Sequence, residues 1–353
     1  MESRGQAPSK AQLNAWVQRH GAHSASYTLL EGNKRYLVHP DVDGFVAVET
    51  RWGIPIIAGD PVCEPDAAAP LLRRVRRAYW PRPVYAYAIR PELIAAFRRA
   101  GFGVVPVGSE PVFDPRVFCL AGGDRATVRA AVNHARKAGL QVSEHHPTSE
   151  RSAQANAELD AVSREWLGVR GNRELGFLLG QPQLDRPSSK RYFVARSATR
   201  VEGFVVCEPV FVRRGWYIDV TRRRLDAARG TIELLITEAL STFGREDAAF
   251  VTLGLSPLAR LEACALDGVD APALCNAFGA AFARVRDPYD FAALYRYKRK
   301  FAPDAWEARY FAFTRGAGRV LAEWATRRAV ARARLGPDAA ASKPPPPRRG
   351  RPQ

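Results

Sequence analysis

The sequence has 353 residues, a length that fits two domains better than one. Its 46% hydrophobic and 25% charged content is ordinary for a soluble globular protein, and no window approaches the ~18 consecutive apolar residues that span a bilayer. The formal net charge of +17 favours a polyanionic partner, either nucleic acid or an anionic membrane face.

The first half of the chain alternates short strand-like runs with helical stretches. In chain order, helices are predicted at residues 11–20, 67–79 and 91–100. Strands are predicted at residues 26–30, 35–38, 44–49, 54–58, 84–88 and 104–108. Pro91 opens the third helix and Gly101 ends it. These elements define a predicted N-terminal domain at residues 10–121.

The second half repeats this alternation. Helices are predicted at residues 124–138, 153–166, 231–243, 272–284 and 291–298. Strands are predicted at residues 140–143, 192–195, 201–209, 215–220, 250–254 and 306–313. They define a domain at 122–315, followed by a basic helix at 316–336 and a disordered proline- and arginine-rich tail at 337–353. The predicted fold class is α/β, with a mixed, mostly antiparallel sheet flanked by helices in each half.

Cysteine and histidine usage predicts no metal site, and we expect no cofactor. The five cysteines contain no Cys-x-x-Cys pair, and the six histidines show no metal-ligand spacing. The cysteine pattern fits a reducing cytosol, and the first residues lack the apolar core of a signal peptide. We therefore expect a cytoplasmic protein, which would meet a membrane only peripherally, at the inner face of the cell membrane.

The most distinctive stretch is residues 295–303, in which four cations lie among aromatic side chains, and Trp306 and Arg309 continue it. Such a run is costly to bury and suits a ligand that carries phosphates and flat rings. Upstream, Asp219 and Arg222 lie at the end of a strand-like run.

Several runs resemble, in the same order, the catalytic half of the phosphatidylglycerol lysyltransferases (the multiple peptide resistance factor family). They are Gly59-Asp60-Pro61-Val62, Val107-Gly108-Ser109-Glu110, Glu174-Leu175-Gly176-Phe177, Ile218-Asp219 with Arg222-Arg223, Gly254-Leu255-Ser256-Pro257 and the basic aromatic run. The resemblance implies two tandem GNAT-like domains. It also implies an enzyme that moves an amino acid from aminoacyl-tRNA to a lipid hydroxyl, here in a stand-alone soluble form.

Asp219 and Arg222 are the predicted catalytic residues. Ester exchange needs positioning and donors for an oxyanion. Asp219 is suited to hold the ammonium group of the amino acid or to orient the incoming hydroxyl. Arg222, just past the end of the same predicted strand, can present a planar fork to a phosphate or to the oxyanion. The alternative for both is a strand-end salt bridge.

Seven further residues are predicted to bind substrate: Glu174, Arg223, Ser256, Lys298, Lys300, Trp306 and Arg309. The resemblance implies that Lys298 and Lys300 hold phosphates of the tRNA end or of the lipid head group. They face the same side if the segment is extended, and they diverge by about 200° if it is helical. The alternative is a solvated basic face. Glu174 is suited to read the amino group of the donor.

Three functions stay open on the sequence. The first is a transferase whose partners are aminoacyl-tRNA and an anionic phospholipid, with a phosphatidylglycerol-like hydroxyl or another hydroxyl or amine as acceptor. The second is a GNAT-type acyl-CoA N-acyltransferase, although the turn at 227–231 has a single glycine where a pyrophosphate cradle needs more. The third is a non-catalytic basic module that binds nucleic acid or membrane.

Overall fold

The computed structural model describes residues 7–149, 152–169, 180–185, 188–264, 270–285 and 290–334. The helices are α1 (Lys10–His20), α2 (Ala68–Tyr79), α3 (Ile94–Arg99), α4 (Ala126–Lys137), α5 (Ala153–Val169), α6 (Thr231–Arg245), α7 (Pro272–Arg284), α8 (Phe291–Arg299) and α9 (Ala317–Arg334). The strands are β1 (Arg35–His39), β2 (Val42–Arg51), β3 (Ile54–Ala58), β4 (Tyr85–Ile89), β5 (Phe102–Phe113), β6 (Gln141–His145), β7 (Arg191–Arg196), β8 (Val201–Val210), β9 (Gly215–Arg223), β10 (Phe250–Thr252), β11 (Ser256–Pro257) and β12 (Ala305–Thr314). The predicted α/β class is confirmed.

The strands of the described residues form one 12-stranded sheet with the order β1-β2-β3-β4-β12-β5-β10-β9-β8-β7-β6, and the short β11 pairs with β5. Most neighbours are antiparallel, and β3–β4 and β9–β10 are parallel pairs. β12 lies between β4 and β5, so the last strand completes the sheet of the first half. The two halves are thus parts of a single sheet, while the predicted division between residues 121 and 122 stays a prediction.

Helices cover both faces of the sheet. On one face α2 and α3 pack on the first half, and α4 and α6 pack on the second. On the other face α7 and α9 cover the first half and α5 covers the second. Each fully buried leucine or phenylalanine in these layers stabilises the fold by about 1.5–3 kcal/mol. None of the described helices combines the length and the apolar content that a membrane crossing requires.

α2 shows how the sequence pattern sets such packing. Its buried residues Leu71, Leu72, Val75 and Tyr79 recur at helical spacing and face the sheet. Its four arginines, in the segment 73–77, occupy the remaining faces. The amphipathic helix predicted at this position is confirmed, beginning at Ala68.

The prediction of a strand at residues 26–30 is wrong, because these residues belong to a 3-10 helix, Ser24–Leu30. Nδ1 of His23 accepts a hydrogen bond from Ala25 N at 3.0 Å, and the Thr28 hydroxyl donates to Ala25 O at 2.9 Å. Side-chain hydrogen bonds to the local backbone compete with extended structure and decide the outcome here.

The other predicted boundaries agree with the structure within three residues, except that β5 extends well beyond the predicted 104–108. Pro106, Gly108 and Pro111 favour a break in a strand, but β12 pairs with β5 along its whole length. The tail predicted at 337–353 lies outside the described residues.

Candidate active site

A β-bulge sets the position of Asp219 in β9. Cys207 of β8 pairs with Ile218, and Val206 pairs with Val220, so Asp219 is the extra residue between the two pairs. An extra residue interrupts the alternation of side chains and re-aims the one at the bulge. As a result Asp219, a residue with only 9% of its surface exposed, lies inside the molecule.

The carboxylate of Asp219 has two neighbouring donors, the Gly180 N–H and the Tyr217 hydroxyl. Its Oδ2 accepts a hydrogen bond from Gly180 N at 2.5 Å, and the Tyr217 hydroxyl lies next to the carboxylate. Oδ1 makes no hydrogen bond of ordinary geometry with any described residue. Burial and the negative charge of Glu208 raise the pKa of Asp219 to about 8. At neutral pH most molecules therefore keep this proton.

Lys190 links carboxylates from both halves of the chain. Its Nζ lies 2.5 Å from Glu31 Oε1 and 2.8 Å from Glu208 Oε1, and it donates to Gln181 O at 2.5 Å. The other oxygen of Glu208 lies 3.1 Å from the Thr28 hydroxyl, which shares its one proton between this oxygen and Ala25 O. Burial opposes the charge on Lys190, but the two carboxylates outweigh burial and raise the pKa of its ammonium group. Glu31 thereby joins the 3-10 helix of the first half to β8.

Gly180 lies where only a hydrogen atom fits. A Cβ at this position would lie 2.2 Å from Glu208 Oε1 and 2.7 Å from Asp219 Oδ2. The absence of a side chain lets the backbone N–H reach the Asp219 carboxylate directly. This close approach is the reason that glycine is required there.

Lys298 reaches the same region from α8. Its Nζ donates to Gly254 O at 2.9 Å and to Leu255 O at 2.8 Å. Burial lowers the pKa of Lys298 to about 7, against the opposing effect of the Glu110 and Asp219 carboxylates. The structure therefore places Asp219 and Lys298, predicted from separate segments, in one electrostatic environment. Both groups can gain or lose a proton near neutral pH.

Arg309 lies at the centre of the sheet as the partner of Glu110. Its Nη2 is 2.5 Å from Glu110 Oε2 and 3.0 Å from Glu307 Oε2, and its side chain is 1% exposed. The Thr252 hydroxyl donates to Glu110 Oε1 at 2.8 Å. Burial opposes ionisation of Glu110, but Arg309 and the hydrogen bonds outweigh it and hold the pKa at about 2. Arg309 thus stabilises a buried carboxylate beside Lys298.

Lys300 points away from this region. It pairs with Glu233 of α6, and its Nζ lies 3.8 Å from the centroid of the Tyr297 ring. The helical conformation continues to Lys300, so its side chain and that of Lys298 diverge, as expected for a helix.

Arg222 and Arg223 lie within β9 rather than beyond its end. The guanidinium of Arg222 is buried and stacks 4.2 Å over the ring of Trp166 in α5. Arg223 is exposed and donates to the carbonyl oxygens of Arg224 and Leu225. Neither arginine is among the groups that set the pKa of Asp219.

The remaining predicted residues divide into three cases. Ser256 is buried opposite Ser109 of β5, directly after the Leu255 carbonyl that Lys298 contacts. Trp306 packs on Tyr295 with 5.1 Å between the ring centroids. Glu174 lies outside the described residues.

Four central residues had no role in the sequence-based prediction: Glu31, Gly180, Lys190 and Glu208. Glu208 did carry a signal, because it stands within the apolar run 201–210, where a charge has to be buried. Gly180 ends the run 174–180 that carries part of the family resemblance, whereas Lys190 has no such local signal, since its contacts come from distant strands. A search for charged residues inside apolar strands would have found Glu208 and also Glu110.

The family model for phosphatidylglycerol lysyltransferase, C-terminal, matches residues 14–313 of this chain. The chain belongs to this family. The resemblance noted in the sequence is thereby confirmed, and the match covers both halves of the sheet.

Curated relatives are much longer than this chain. The phosphatidylglycerol lysyltransferase of Bacillus subtilis is 24% identical over 88% of this chain and 35% of its own length. The lysylphosphatidylglycerol biosynthesis bifunctional protein LysX of Mycobacterium leprae is 29% identical over 55% of this chain and 17% of its own length. The chain therefore spans about a third of the first relative and less of the second.

Solved structures share the fold. L-PGS from Bacillus licheniformis superposes with a TM-score of 0.72 at 24% identity, covering 94% of this chain and all of that one. The C-terminal domain of an Agrobacterium fabrum protein gives 0.72 at 23% identity over 89% of this chain and 94% of its own. FemX gives 0.52 at 10% identity over 87% of this chain and 96% of its own.

Proposed function

We propose that this chain is an aminoacyltransferase that moves an amino acid from aminoacyl-tRNA to the head-group hydroxyl of a phosphatidylglycerol-like phospholipid. The observation that carries the proposal is the burial of Asp219 and Lys298 in one environment that brings their pKa values to about 8 and about 7. Two such groups are what proton transfer at neutral pH requires. The name of the Bacillus subtilis relative supports the choice of reaction.

The reaction exchanges one ester for another. The lipid hydroxyl oxygen attacks the ester carbonyl carbon, and collapse of the tetrahedral intermediate breaks the bond to the ribose oxygen. The lipid hydroxyl loses a proton and the ribose oxygen gains one, so no further reactant is needed.

Lys298 and Asp219 fit the two proton transfers. A neutral Lys298 amine can give its two hydrogens to the Gly254 and Leu255 carbonyls and keep its lone pair for the proton of the incoming hydroxyl. Protonated Asp219 can then deliver a proton to the ribose oxygen. The roles require both groups in the forms that their shifted pKa values favour near pH 7–8.

The charge distribution fits the two substrates. Around Asp219, the carboxylates of Glu31 and Glu208 face the single ammonium of Lys190, so the local charge favours a further cation such as the ammonium group of an amino acid. The net charge of +17 favours approach of both tRNA and an anionic lipid.

The start of α6 argues against acyl-CoA as the donor. A Cβ at Gly230 would lie 2.0 Å from Ala131 O, so this glycine serves the packing of α6 on α4. A pyrophosphate cradle needs several free backbone N–H groups at a helix start. A non-catalytic module, the third alternative, gains nothing from two buried groups poised to exchange protons.

The test uses purified protein, tRNA charged with radiolabelled lysine or alanine in separate reactions, and phosphatidylglycerol vesicles. Label should appear in extracted lipid, and Asp219→Asn should lower the rate roughly 100-fold or more while tRNA binding persists. Asp247→Asn, at an exposed acid that pairs with Arg214 at the surface, is the matched control. Undiminished transfer by Asp219→Asn would exclude the assigned site, and absence of labelled lipid with either amino acid would exclude the reaction.

A further inference from the structure

Three connections between elements lie together at one end of the strands in the first half of the sheet. β3 and β4 are parallel with Ile56 opposite Tyr85, so the segments that precede them lie at the same end. Val84 N donates to the Thr314 hydroxyl at 3.2 Å, and Thr314 N donates to Val84 O at 3.0 Å. The Tyr85 hydroxyl donates to Gly318 O of α9 at 2.9 Å. The β2–β3 turn, the α2–β4 connection and the start of α9 therefore form one surface.

This surface collects exposed apolar side chains. Trp52 in the β2–β3 turn is 94% exposed, and Trp80 after α2 is 80% exposed. Val320 and Trp324 on α9 are 60% and 54% exposed. Of the seven large hydrophobic side chains that are exposed within the described residues, Trp52 and Trp80 lie in these connections, Val320 lies in the first turn of α9, and Trp324 lies one turn further along α9. A concentration of this kind on a protein surface marks a place of interaction.

Arginines surround these side chains. Residues 67–89 contain five arginines and no acidic residue. A depression of about 270 Å³ is lined by Arg73, Arg76, Arg77 and Trp80. A second depression, of about 250 Å³, lies at the start of α9 and is lined by Gly103, Asp270, Phe313, Arg315, Gly316 and Arg319. In the first, Arg73 and Arg77 are exposed and can meet an anion of head-group size, whereas in the second Arg315 pairs with Asp270 at 3.2 Å and Arg319 lies 3.7 Å from Glu323.

We name this surface the basic edge and define it by Trp52, Arg77, Trp80, Arg82, Arg315, Arg319, Val320 and Trp324. We propose that the basic edge docks on an anionic phospholipid bilayer. Indole rings favour the interface between head groups and acyl chains, and each arginine near an anionic surface strengthens partitioning about fivefold. A tRNA backbone would satisfy the arginines but offers no apolar layer for Val320 and the indoles, which is why a bilayer fits better.

The docking surface is separate from the buried charged residues around Asp219 and Lys298. β5 runs from Phe102 at the basic edge to Glu110, a span of roughly 25 Å. Docking on the bilayer and chemistry at Asp219 therefore use different residues, so each can be changed without altering the other. The inference rests on the proposed function only in that the acceptor is a bilayer lipid.

Vesicle sedimentation tests the docking directly, with vesicles of phosphatidylglycerol and phosphatidylcholine compared with phosphatidylcholine alone. The full chain should bind the anionic vesicles, and added salt should weaken the binding. Arg77→Ala with Arg82→Ala should lower the partition coefficient roughly tenfold or more. Trp52→Ala with Trp80→Ala should also lower it, with less change in the salt dependence.

The matched control is Lys137→Ala with Arg245→Ala, which removes the same charge from exposed positions on α4 and α6. Equal binding by the edge variants, the control and the wild type would overturn the proposal. Loss of tRNA binding with unchanged vesicle binding would also overturn it and assign the surface to RNA.

Transfer to short-chain phosphatidylglycerol dispersed in detergent separates docking from catalysis. The edge variants should keep this activity and lose binding to vesicles. Asp219→Asn should lose the activity and still sediment with vesicles. Failure of the proposed reaction would leave the vesicle result unaffected, so the two proposals can fail independently.

Discussion

The centre of the sheet and the basic edge both concentrate charged residues, but in opposite ways. At the centre, carboxylates and cations from both halves are buried: Glu31, Glu110, Glu208, Lys190 and Arg309 form ion pairs, and Asp219 and Lys298 form hydrogen bonds with the backbone. At the basic edge, arginines outnumber acids and lie beside exposed indoles.

The difference teaches what each region can be used for. Burying an ion costs several kcal/mol even after relaxation, so a buried cluster has to be nearly complete to be tolerated, and its pKa values are shifted as a result. Surface arginines cost little and contribute little to folding. Changes at the centre should therefore affect stability and chemistry, whereas changes at the edge should affect association.

The largest effect is expected for Lys190→Met, which leaves Glu31 and Glu208 buried without their shared cation. We expect a loss of about 3–5 kcal/mol in the free energy of unfolding, measured by urea denaturation. Arg136→Met is the control, since Arg136 pairs with Glu238 at the surface and should cost less than about 1 kcal/mol. Equal losses of unfolding free energy in the two variants would mean that the ion pairs of Lys190 with Glu31 and Glu208 do not stabilise the fold.

A second prediction compares two lysines that lie two residues apart. Lys298→Met removes the buried amine and should lower the transfer rate roughly 100-fold. Lys300→Met removes a partly exposed ion pair with Glu233 and should change the rate only a few-fold. Initial rates decide between them, with near-ultraviolet circular dichroism to confirm folding. A large loss with Lys300→Met would show that the divergence of the two side chains does not divide their roles.

The pH dependence of stability tests the environment of Asp219. Its pKa is raised from 3.8 to about 8, so between these values the folded state holds more protons and the wild type loses stability as pH rises. Asp219→Asn does not titrate. Its stability relative to the wild type should therefore increase from pH 5 to pH 9, as measured by urea denaturation across this range. Lys298 contributes the opposite dependence, and loss of the Asp219 charge, which raises the pKa of Lys298, adds to the expected increase in the variant. A constant difference would contradict the raised pKa.

The smallest effect is expected at the basic edge. Trp52→Ala should change the free energy of unfolding by less than about 0.5 kcal/mol, because the side chain is almost fully exposed. Trp16→Ala is the contrast, since Trp16 is buried and donates to Asp43 at 2.6 Å, and it should cost about 3–5 kcal/mol. Thermal unfolding of both variants measures this, and a large cost for Trp52→Ala would mean that its ring is covered.

Much of the fold could be predicted because local signals agree with the final packing. Pro272 opens α7 where the sequence places it, and the apolar spacing of α2 selects the buried face. The strand predicted at 26–30 failed because hydrogen bonds from His23 and Thr28 favour a 3-10 helix. The position of β12 between β4 and β5 could not be foreseen, since pairing across about two hundred residues leaves no local pattern.

The candidate site could be predicted only in part. Asp219 and Lys298 were found through the family resemblance and their place in distinctive runs. The bulge that re-aims Asp219 depends on the register with β8, which the sequence does not display. Lys190 and Gly180 were missed for a related reason, because their roles come from carboxylates on other strands.

Because β12 lies between β4 and β5, the first half of the sheet is completed only after the end of the chain has been synthesised. During synthesis, β4 and β5 leave the ribosome long before residues 305–314. Until β12 is made, the edges of β4 and β5 that pair with it lack their hydrogen-bond partners. A chain that ends before residue 305, through stalled synthesis or proteolysis, would expose these two strand edges. They could then pair with strands of other molecules. Truncated products should therefore aggregate rather than persist as a folded first half.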